Sequence, residues 1–393
     1  MGEDTIRFVH TADLHLGSPH PGLGKLGGDL SRESLEDFLR LLEYCQDQKV
    51  DLLLIAGDFL EAGFEESIRA SLLQGLARLT HTQVFIAPGN HDPYLPGSPY
   101  QIWPWPESVH IFTEDFTCFS LLDGGVEVCG SAFRSPHQPV SFLEQVSFPE
   151  NSLEKFGQSA RRIFRIYLVH ADLVHGQGES VYNPLDLSKL PPAYFDYVAL
   201  GHIHRRSEPV RRSGTSYAYS GCLTPTGFDE PGVKGFYLGR VQQGMLSLTF
   251  KPWAKLRFIE KELHLDGLDS IEKVEQGLKS MLVAGNQNAY RFHLKGASPF
   301  VEGLPMDYLR THFAGEGIYL ELLDESLPAV SWDAIRQEKS IRGAVVNLLL
   351  QKQEHALRRR QEEEVQLSKR ALELVWQAFQ GREVDVGDKK DFL

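Results

Sequence analysis

Short apolar runs that end at a glycine or a polar residue recur along the first half of the chain. The clearest is Leu52–Ala56, five apolar residues in succession that lead into Gly57 and Asp58. A run of this length before a turn residue is typical of a strand buried on both faces of an α/β sheet. Asp58 would then lie at the carboxyl end of its strand, the edge where open α/β sheets bind ligands. A lone carboxylate there is equally typical of a helix N-cap, so this stretch alone does not define a site.

Four further runs share this pattern, an amphipathic helix is predicted at 31–48, and a second helix is predicted at 65–79. Strands that alternate with helices predict a mostly parallel α/β sheet. Alternating segments at 109–131 and hairpin-like segments at 215–250 add strands, so we expect two stacked mixed sheets with helices outside, a four-layer αββα domain. The predicted strands that end at polar side chains are 5–9, 52–56, 83–87, 164–169 and 197–200.

The pattern changes after Trp253, where shorter strand-like and helix-like segments predict a small α+β module. Beyond Ser331 the chain is helical and strongly charged, and an apolar stripe at 372–379 suits either its own core or a partner helix. The elements predicted for the module are strands at 256–264, 289–295 and 318–323 and helices at 268–283 and after Pro305. The predicted domains are 1–253, a small capping domain at 254–328, and a helical segment for partner binding at 329–393.

Composition indicates a globular protein but leaves its partners open. Of 393 residues, 42% are hydrophobic and 24% are charged, which excludes a disordered chain. The formal net charge of −13 argues against nucleic-acid binding through overall charge. Residues 204–261, however, contain ten Lys or Arg against four Asp or Glu. Such a segment is either a basic face that contacts phosphates or a chance cluster on a solvated surface.

Cysteine usage and the N-terminal sequence predict the compartment. Cys45, Cys118, Cys129 and Cys222 show no paired spacing, so we expect reduced thiols that act as small buried hydrophobes, without a disulfide or zinc framework. No run approaches the roughly 20 apolar residues of a membrane span, and no signal-peptide pattern precedes the first strand. These features predict a cytoplasmic protein that does not associate with membranes.

The polar residues at the five strand ends form one candidate metal centre. Carboxylate, carboxamide and imidazole groups are ligands of divalent manganese, iron or zinc. The Asp-x-His and His-x-His spacings let two side chains of one turn reach one centre, and a single Asp on its own turn suits a bridging ligand. Each residue alone could be a cap or a turn residue, but their recurrence predicts a dinuclear site. The candidates are Asp13, His15, Asp58, Asn90, His91, His170, His202 and His204.

These residues resemble the motifs of the metallophosphoesterase superfamily, D-x-H, G-D, G-N-H-[DE], H and G-H-x-H, and the resemblance covers roughly residues 5–250. Within the superfamily the chain is similar to the SbcD-like DNA-repair exonucleases, and most to their bacterial YhaO-like branch, at residues 8–16, 195–204 and 227–230. The module and tail match that family's capping domain and ATPase-binding helices more loosely. The motifs stand here as Asp13-Leu14-His15, Gly57-Asp58, Gly89-Asn90-His91-Asp92, His170 and Gly201-His202-Ile203-His204.

The resemblance implies a role for each of these side chains. Two divalent metals, manganese first and magnesium, iron or zinc as alternatives, would bind both the attacking and the leaving oxygen of a phosphoryl displacement. His91 would lie outside the ligand set and would stabilise the developing charge or protonate the leaving oxygen. The implied ligands are Asp13, His15 and His204 for one metal, Asn90, His170 and His202 for the other, and Asp58 as the bridge.

Two positions do not fit the motifs of the superfamily unambiguously. Three residues after the bridging Asp, nuclease members often have His, and phosphatase members have an Asp that orients the catalytic His. Here the residue is Glu61, which could hold His91 and raise its pKa. His175 also fits the loose fourth motif, but His170 follows its strand directly and is the favoured ligand.

Contacts to DNA are predicted from weaker signals. Tyr94 and Trp103 lie in a proline-rich loop after the third motif, where aromatic rings either stack on bases or pack the loop. Arg205 and Arg206 directly follow the last motif and are the basic residues nearest to the metals in sequence.

We therefore expect a DNA exonuclease or endonuclease of DNA repair that works with a coiled-coil, SbcC-like ATPase, and a homodimer is compatible with the sequence. One alternative is a phosphodiesterase or phosphatase for a small nucleotide, which has less use for a further module and tail. Another is a non-catalytic subunit that tethers an ATPase. The complete ligand set together with His91 argues against a non-catalytic subunit, because a site that is no longer catalytic usually loses ligands.

Overall fold

The fold is that of a computed structural model, which describes residues 5–20, 25–61, 66–122, 125–144, 146–148, 163–176, 179–283, 288–300, 303–315, 318–328, 332–359 and 361–379. The chain divides into two units. The first extends to Phe258 and includes Asn288, and the second comprises the other described residues from Ile259 onward.

The elements of the first unit run in the predicted order. They are β1 (Ile6–Thr11), α1 (Lys25–Asp47), β2 (Leu52–Ala56), α2 (Glu66–Ala77), β3 (Gln83–Ala87), α3 (Pro99–Ile102), β4 (Val109–Ile111), β5 (Thr117–Leu121), β6 (Val126–Gly130), β7 (Phe164–His170), β8 (Asp172–Leu173), β9 (Pro184–Leu185), β10 (Tyr197–Gly201), β11 (Val210–Arg212), β12 (Thr215–Tyr219), β13 (Gly235–Gln242) and β14 (Met245–Pro252).

Two six-stranded mixed sheets form this unit, as the sequence predicts. The first has the order β14-β13-β1-β2-β3-β4 and the second β11-β12-β10-β7-β6-β5. In the first sheet β1, β2, β3 and β4 are parallel. In the second, β10 is parallel to both β7 and β12. Parallel neighbours end at the same edge of a sheet, so the polar turns that follow β1, β2 and β3 are neighbours, as are those that follow β7 and β10.

The two sheets pack face to face through alternate side chains. Phe8, Leu54 and Phe85 of the first sheet share one buried cluster with Ile166 and Leu168 of the second. The neighbouring strand residues point to the opposite face of the first sheet, as the pleat requires, and pack on α1 and α2. All five residues of β2 are buried, which confirms the prediction of a strand covered on both faces.

The outer face of the second sheet is covered differently. Its residues Tyr167 and Val198 pack against Phe142, Leu190 and Phe195 from the connecting segments. A short 3-10 helix, Leu187–Lys189, lies in one of these segments.

Helix α1 begins earlier than predicted. It starts at Lys25, although the sequence predicted a start near residue 31. Gly27 and Gly28 lower the intrinsic helix propensity of this turn, which explains the prediction. Leu30, only 1% exposed, anchors the same turn in the core, so tertiary packing outweighs propensity.

The cysteine prediction is wrong for two of the four residues. Cys45 and Cys222 are buried free thiols, as expected. Cys118 and Cys129, however, form a disulfide. They face each other across the antiparallel pair β5 and β6, with their Cα atoms 3.9 Å apart. The register of this hairpin creates the pairing, and sequence spacing alone does not reveal that register.

The second unit contains the predicted alternation of strands and helices. Its three-stranded sheet has the order β15-β16-β18, and α4 and α5 pack on it through Val274, Leu278 and Phe313. The elements are β15 (Arg257–His264), α4 (Ile271–Ser280), β16 (Asn288–Lys295), β17 (Ala297–Ser298), α5 (Met306–Gly315), β18 (Tyr319–Asp324), β19 (Leu327–Pro328), α6 (Trp332–Arg336), α7 (Ile341–Arg359) and α8 (Glu362–Phe379).

The apolar stripe near the C-terminus packs in part on its own unit. Leu372 and Trp376 of α8 form a buried cluster with Ile335 of α6 and Val346 of α7. Phe379, at the end of the stripe, is 40% exposed. Among the described residues, no helix is both long enough and apolar enough to cross a membrane.

Candidate metal centre

The polar turns after five strands meet at one place in the first unit. They follow β1, β2 and β3 of the first sheet and β7 and β10 of the second. Backbone hydrogen bonds join the first two turns, because Asp13 N donates to Gly57 O at 3.1 Å and His15 N donates to Asp58 O at 2.9 Å. The predicted ligands are therefore carried by turns that support one another.

Four of the predicted ligands have a backbone conformation that is uncommon for residues other than glycine. The φ angles of Asp13, His15 and Asp58 are 52°, 43° and 47°, and that of His202 is 103°. Such conformations cost about 1–3 kcal/mol each and persist only where the surrounding structure imposes them. The turns thus fix the direction of these side chains at some cost in stability.

Two motif glycines are required by close packing around the centre. A Cβ atom on Gly89 would lie 2.2 Å from Asp58 Oδ1. Gly57 has a φ of 87°, and a Cβ atom there would lie 2.1 Å from His170 Nδ1. No side chain fits at either position without moving a predicted ligand.

Asp13, His15 and His204 form the first half of the centre. One donor atom from each of them lies within 4.8 Å of the others. The Nε2 atoms of His15 and His204 face each other at 3.2 Å. Two donors that share a small cation at about 2.1 Å lie at roughly this separation.

Asn90, His170 and His202 form the second half. His170 Nε2 lies 2.9 Å from Asn90 Oδ1 and 3.2 Å from His202 Nδ1. His170 is therefore the histidine of the fourth motif that reaches the centre. His175 is exposed and belongs to no group of potential metal ligands among the described residues.

Asp58 lies between the two halves. Its Oδ2 atom is 3.3 Å from His170 Nε2 and 3.8 Å from His15 Nε2. Its other oxygen, Oδ1, accepts a hydrogen bond from His91 N at 2.9 Å. One oxygen thus faces a histidine of each half, the placement that a bridging ligand requires.

Each of the four histidines uses one ring nitrogen toward the centre and the other toward an anchoring oxygen. His170 Nδ1 donates to the backbone oxygen of Ala56 at 3.1 Å. The other three rings are anchored by carboxylates. These pairs are His15 Nδ1 with Glu61 Oε2 at 2.9 Å, His202 Nε2 with Asp172 Oδ1 at 3.3 Å, and His204 Nδ1 with Glu230 Oε1. Such anchoring fixes the tautomer of metal-ligating histidines.

The electrostatics of these residues fit divalent cations. Burial lowers the pKa of His170, but Asp58 and Asp13 outweigh this effect and raise it to about 9. Burial raises the pKa of Asp58, and His170 and His15 reverse this and hold it well below its usual range. Asp13 Oδ2 is buried and has no hydrogen-bond partner among the described residues. The cluster thus concentrates negative charge and oriented donor atoms where a cation would neutralise them.

His91 lies beside the ligand cluster but is much more exposed. Its side chain is 49% exposed, and its ring centroid is 4.9 Å from that of His15. His91 Nδ1 is 3.5 Å from Glu61 Oε1. The hydrogen bond with Glu61 is the main cause of a raised pKa of His91, which burial partly opposes. His91 thus lies beside the candidate ligand His15 and contacts Glu61, and its catalytic role stays a prediction.

Asp92 organises two of the motif turns, a role that the sequence does not predict. Its carboxylate accepts hydrogen bonds from the backbone nitrogens of Phe59, Leu60 and Gly89 at 2.7, 3.0 and 2.7 Å, and from the hydroxyl group of Tyr100. Asp92 therefore ties the turn that carries Asp58 to the turn that carries Asn90. The sequence signal that could have indicated this role is the position of Asp92 at the end of the third motif.

The residues predicted to contact DNA fall into two groups. Arg205 is exposed and makes no hydrogen bond or ion pair within the described part of the chain. Arg206 is paired with Glu208 at 2.6 Å and lies over the ring of Phe250. Trp103 is 9% exposed and belongs to the core of the first sheet, and Tyr94 is partly buried against the same core. Packing thus occupies Trp103, as the structural alternative for this loop anticipated.

A family model of calcineurin-like phosphoesterases matches residues 6–206, about half of the chain. This protein belongs to the calcineurin-like phosphoesterase family, and the fold and the donor set described above define it as a metallophosphoesterase-type hydrolase. The chain is also similar to the "Uncharacterized metallophosphoesterase YhaO" of Bacillus subtilis (strain 168). The two are 27% identical over 312 residues, which cover 75% of this chain and 72% of the relative. The predicted superfamily is confirmed.

Proposed function

We propose that this protein is a nuclease that hydrolyses phosphodiester bonds in DNA, most readily with manganese. The observation that carries the proposal is the placement of His91. This catalytic candidate is half exposed at the rim of a cluster whose inner members, Asp13, Asp58 and His170, are almost fully buried. A reacting phosphate can therefore approach His91 while the rest of a long polymer stays outside.

The chain divides the chemistry between two sets of residues. Asp13, His15 and His204 would hold one cation, and Asn90, His170 and His202 the other, with Asp58 common to both. Two divalent cations at such a site polarise the phosphate and make a water acidic enough to attack it near neutral pH.

His91 would supply the proton in this reaction. The bond between phosphorus and the leaving oxygen breaks, and that oxygen takes a proton from His91 Nε2. Glu61 holds the opposite nitrogen of the ring, Nδ1, and stabilises the protonated form that an acid requires. The attacking water loses a proton, so the overall reaction is hydrolysis.

The surroundings of the last motif favour a polymeric substrate over a small nucleotide. Arg205 follows the ligand His204 directly and is exposed. Arg211 and Arg212 are also exposed on the edge strand β11, but they pair with Ser216 and Thr215 at the start of β12 and so lie toward the end of the sheet away from the centre. An exposed cation beside a phosphodiester site, as Arg205 is, can neutralise a phosphate of a polymer backbone. Tyr94, which keeps part of its ring accessible, is the remaining candidate for contact with a base.

A coiled-coil ATPase is the partner that we propose for the C-terminal helices. Leu348 and Leu357 of α7 and Leu367 of α8 are 56%, 57% and 52% exposed. Exposed leucines on charged helices suit contact with another helix pair. A homodimer is a separate part of the proposal, and sedimentation of the purified chain would test it.

The test is degradation of end-labelled linear duplex DNA with manganese or magnesium, wild type beside His91→Ala. We expect manganese-dependent shortening of the DNA that falls by about 10²–10⁴-fold in the variant, because general acid catalysis contributes this much. Both metals should remain bound, since His91 lies outside the proposed ligand set. Elemental analysis of the purified variant measures this.

His81→Ala is the matched control for this variant. His81 also pairs with a carboxylate, Asp51 at 2.9 Å, and its side chain is 50% exposed, but it lies at the opposite end of the same sheet. The His81→Ala variant should degrade DNA at the wild-type rate. Intact DNA with hydrolysis of bis-p-nitrophenyl phosphate retained would favour a small-nucleotide phosphodiesterase. Loss of both metals in His91→Ala would place His91 among the ligands.

A further inference from the structure

Glu230 is a buried carboxylate that lies directly behind a predicted metal ligand. Its side chain is 7% exposed, and its Oε1 atom is hydrogen bonded to His204 Nδ1. His204 in turn directs its other nitrogen, Nε2, toward His15 Nε2. Glu230 therefore contacts the ring of His204 on the side opposite to the proposed cation.

The loop that carries Glu230 holds this carboxylate in one position. Its second oxygen, Oε2, accepts a hydrogen bond from Thr226 N at 2.9 Å and lies 3.2 Å from Cys222 Sγ. The same loop is tied to α1, because the hydroxyl group of Thr224 donates to Asp37 Oδ2 at 2.9 Å. Glu230 thus belongs to a rigid support and not to a solvated surface.

Lys234 balances the charge of this support and approaches the same ligand from its backbone. Its side chain is 5% exposed, and Nζ donates to the backbone oxygen of His204 at 3.0 Å. Nζ is also 3.8 Å from Glu230 Oε2. Burying a carboxylate and an ammonium group removes the hydration of both ions, so the pair is not explained by stability alone.

A different residue holds the corresponding ligand of the second half. His170 donates its Nδ1 proton to the backbone oxygen of Ala56, a neutral acceptor. A carboxylate behind an imidazole makes it a stronger ligand than a carbonyl group does, because it stabilises the ring when positive charge approaches the other nitrogen. Both histidines of the first half are thus backed by carboxylates, whereas in the second half only His202 is, through Asp172.

We propose that Glu230 is a positioning residue for the metal centre, which orients His204 and sets the affinity of the first half for its cation. Glu230 keeps the proton of His204 on Nδ1 and leaves Nε2 free to coordinate. The proposal rests on the metal centre and not on DNA as the substrate, so it can fail or succeed independently of the nuclease proposal.

The test is titration of Mn²⁺ into the metal-stripped full-length protein by calorimetry, with wild type compared with Glu230→Gln. The amide keeps the size of the side chain and can still accept from Nδ1, but it removes the charge. We expect one of the two ions to bind about ten- to a hundredfold more weakly, the range for loss of a carboxylate behind a ligand. The other ion should bind as in wild type, and His204→Ala should weaken the same ion further.

Glu208→Gln is the control, because Glu208 also pairs with a cation, Arg206, but its side chain is 76% exposed and contacts no predicted ligand among the described residues. It should bind both ions like wild type. Electron paramagnetic resonance at one equivalent of Mn²⁺ provides a second readout. At one equivalent, the spectrum of Glu230→Gln should be that of single Mn²⁺ ions bound in the second half. The signal of spin-coupled Mn²⁺ pairs should appear only at higher Mn²⁺ concentration.

Two results would overturn the proposal. If Glu230→Gln binds both ions with wild-type affinity, Glu230 serves only the packing of its loop. If both ions weaken equally and the melting temperature falls, Glu230 supports the fold and not one half of the centre. Should Glu230→Gln not fold, Glu230→Asp carries the same test. This variant keeps the negative charge but moves it away from His204 by the length of one methylene group. Unchanged affinity for Mn²⁺ in Glu230→Asp would also contradict the proposal.

Discussion

The two halves of the candidate metal centre have the same kinds of proposed ligand but support them differently. In the first half, His15 and His204 are backed by the carboxylates of Glu61 and Glu230. In the second half, His202 is backed by the carboxylate of Asp172, but His170 is backed by a backbone oxygen and Asn90 contributes a neutral amide oxygen. The identity of the ligands alone therefore does not determine how strongly each half binds a cation, because the groups that contact the ligands from behind also set the local charge.

This difference predicts an order of binding. A cation in the first half interacts with Asp13, Asp58 and two further carboxylates one ring away, whereas a cation in the second half has fewer negative neighbours. Coulomb energies between close charges are large in a site of low dielectric constant. We expect the first half to fill first and the second half to exchange its ion more readily.

The largest effect should come from the residue that the halves share. Asp58→Asn removes the charge that faces both His170 and His15, so both ions should bind more weakly and hydrolysis should fall by at least about 10²–10³-fold. Hydrolysis of bis-p-nitrophenyl phosphate together with metal content measures this. Asp51→Asn, at the other end of the same strand, should keep both ions. Loss of only one ion in Asp58→Asn would contradict the bridging role.

A smaller effect is expected from Glu61, which contacts His15 and His91. Glu61 raises the pKa of His91, so His91 keeps its proton to higher pH than a free histidine does. In Glu61→Gln this pKa falls, and the alkaline limb of the kcat profile should move to lower pH. The profile is measured at saturating Mn²⁺, so that weaker binding in the first half does not limit the rate. Glu208→Gln should leave the limb in place, and an unmoved limb in Glu61→Gln would mean that another group titrates.

The smallest effect should come from Asp172, the carboxylate behind His202. It lies 3.3 Å from His202 Nε2 and its side chain is 27% exposed, so solvent screens it more than it screens the buried Glu230. Asp172→Asn should weaken the second ion by less than about tenfold, below the usual range for such partners. Calorimetric titration with Mn²⁺ measures this. An effect as large as that of Glu230→Gln would remove the proposed inequality of the two halves.

The sequence predicted the centre of the site because one geometric rule governs it. Parallel strands end at one edge of a sheet, so polar residues after β1, β2 and β3 must be neighbours, and Asp58 stands in the middle of that row. The two stacked sheets bring His170 and His202 to the same place. Periodicity along the chain is sufficient to find such residues, because strand ends can be read locally.

The supporting residues could not be predicted in this way. Glu230 is 26 residues from His204 in a loop without periodic pattern, and its position depends on the contact of Thr224 with Asp37 in α1. The sequence likewise does not reveal whether the ring of Trp103 is buried in the core or accessible to a ligand. These contacts arise between loops only after the sheets have packed.

The hydrogen bonds between the two sheets have a consequence for the order in which the candidate metal centre assembles. Asp13 of the first sheet accepts from His202 N of the second, a contact between residues 189 apart in sequence, and His170 reaches back to Ala56, 114 residues away. Neither half has all its donors until these distant segments have met. We therefore expect both sheets to dock before either ion is fully coordinated, unlike a small zinc finger, which folds only when it binds its metal. Metal binding would then report that the two sheets have docked in register.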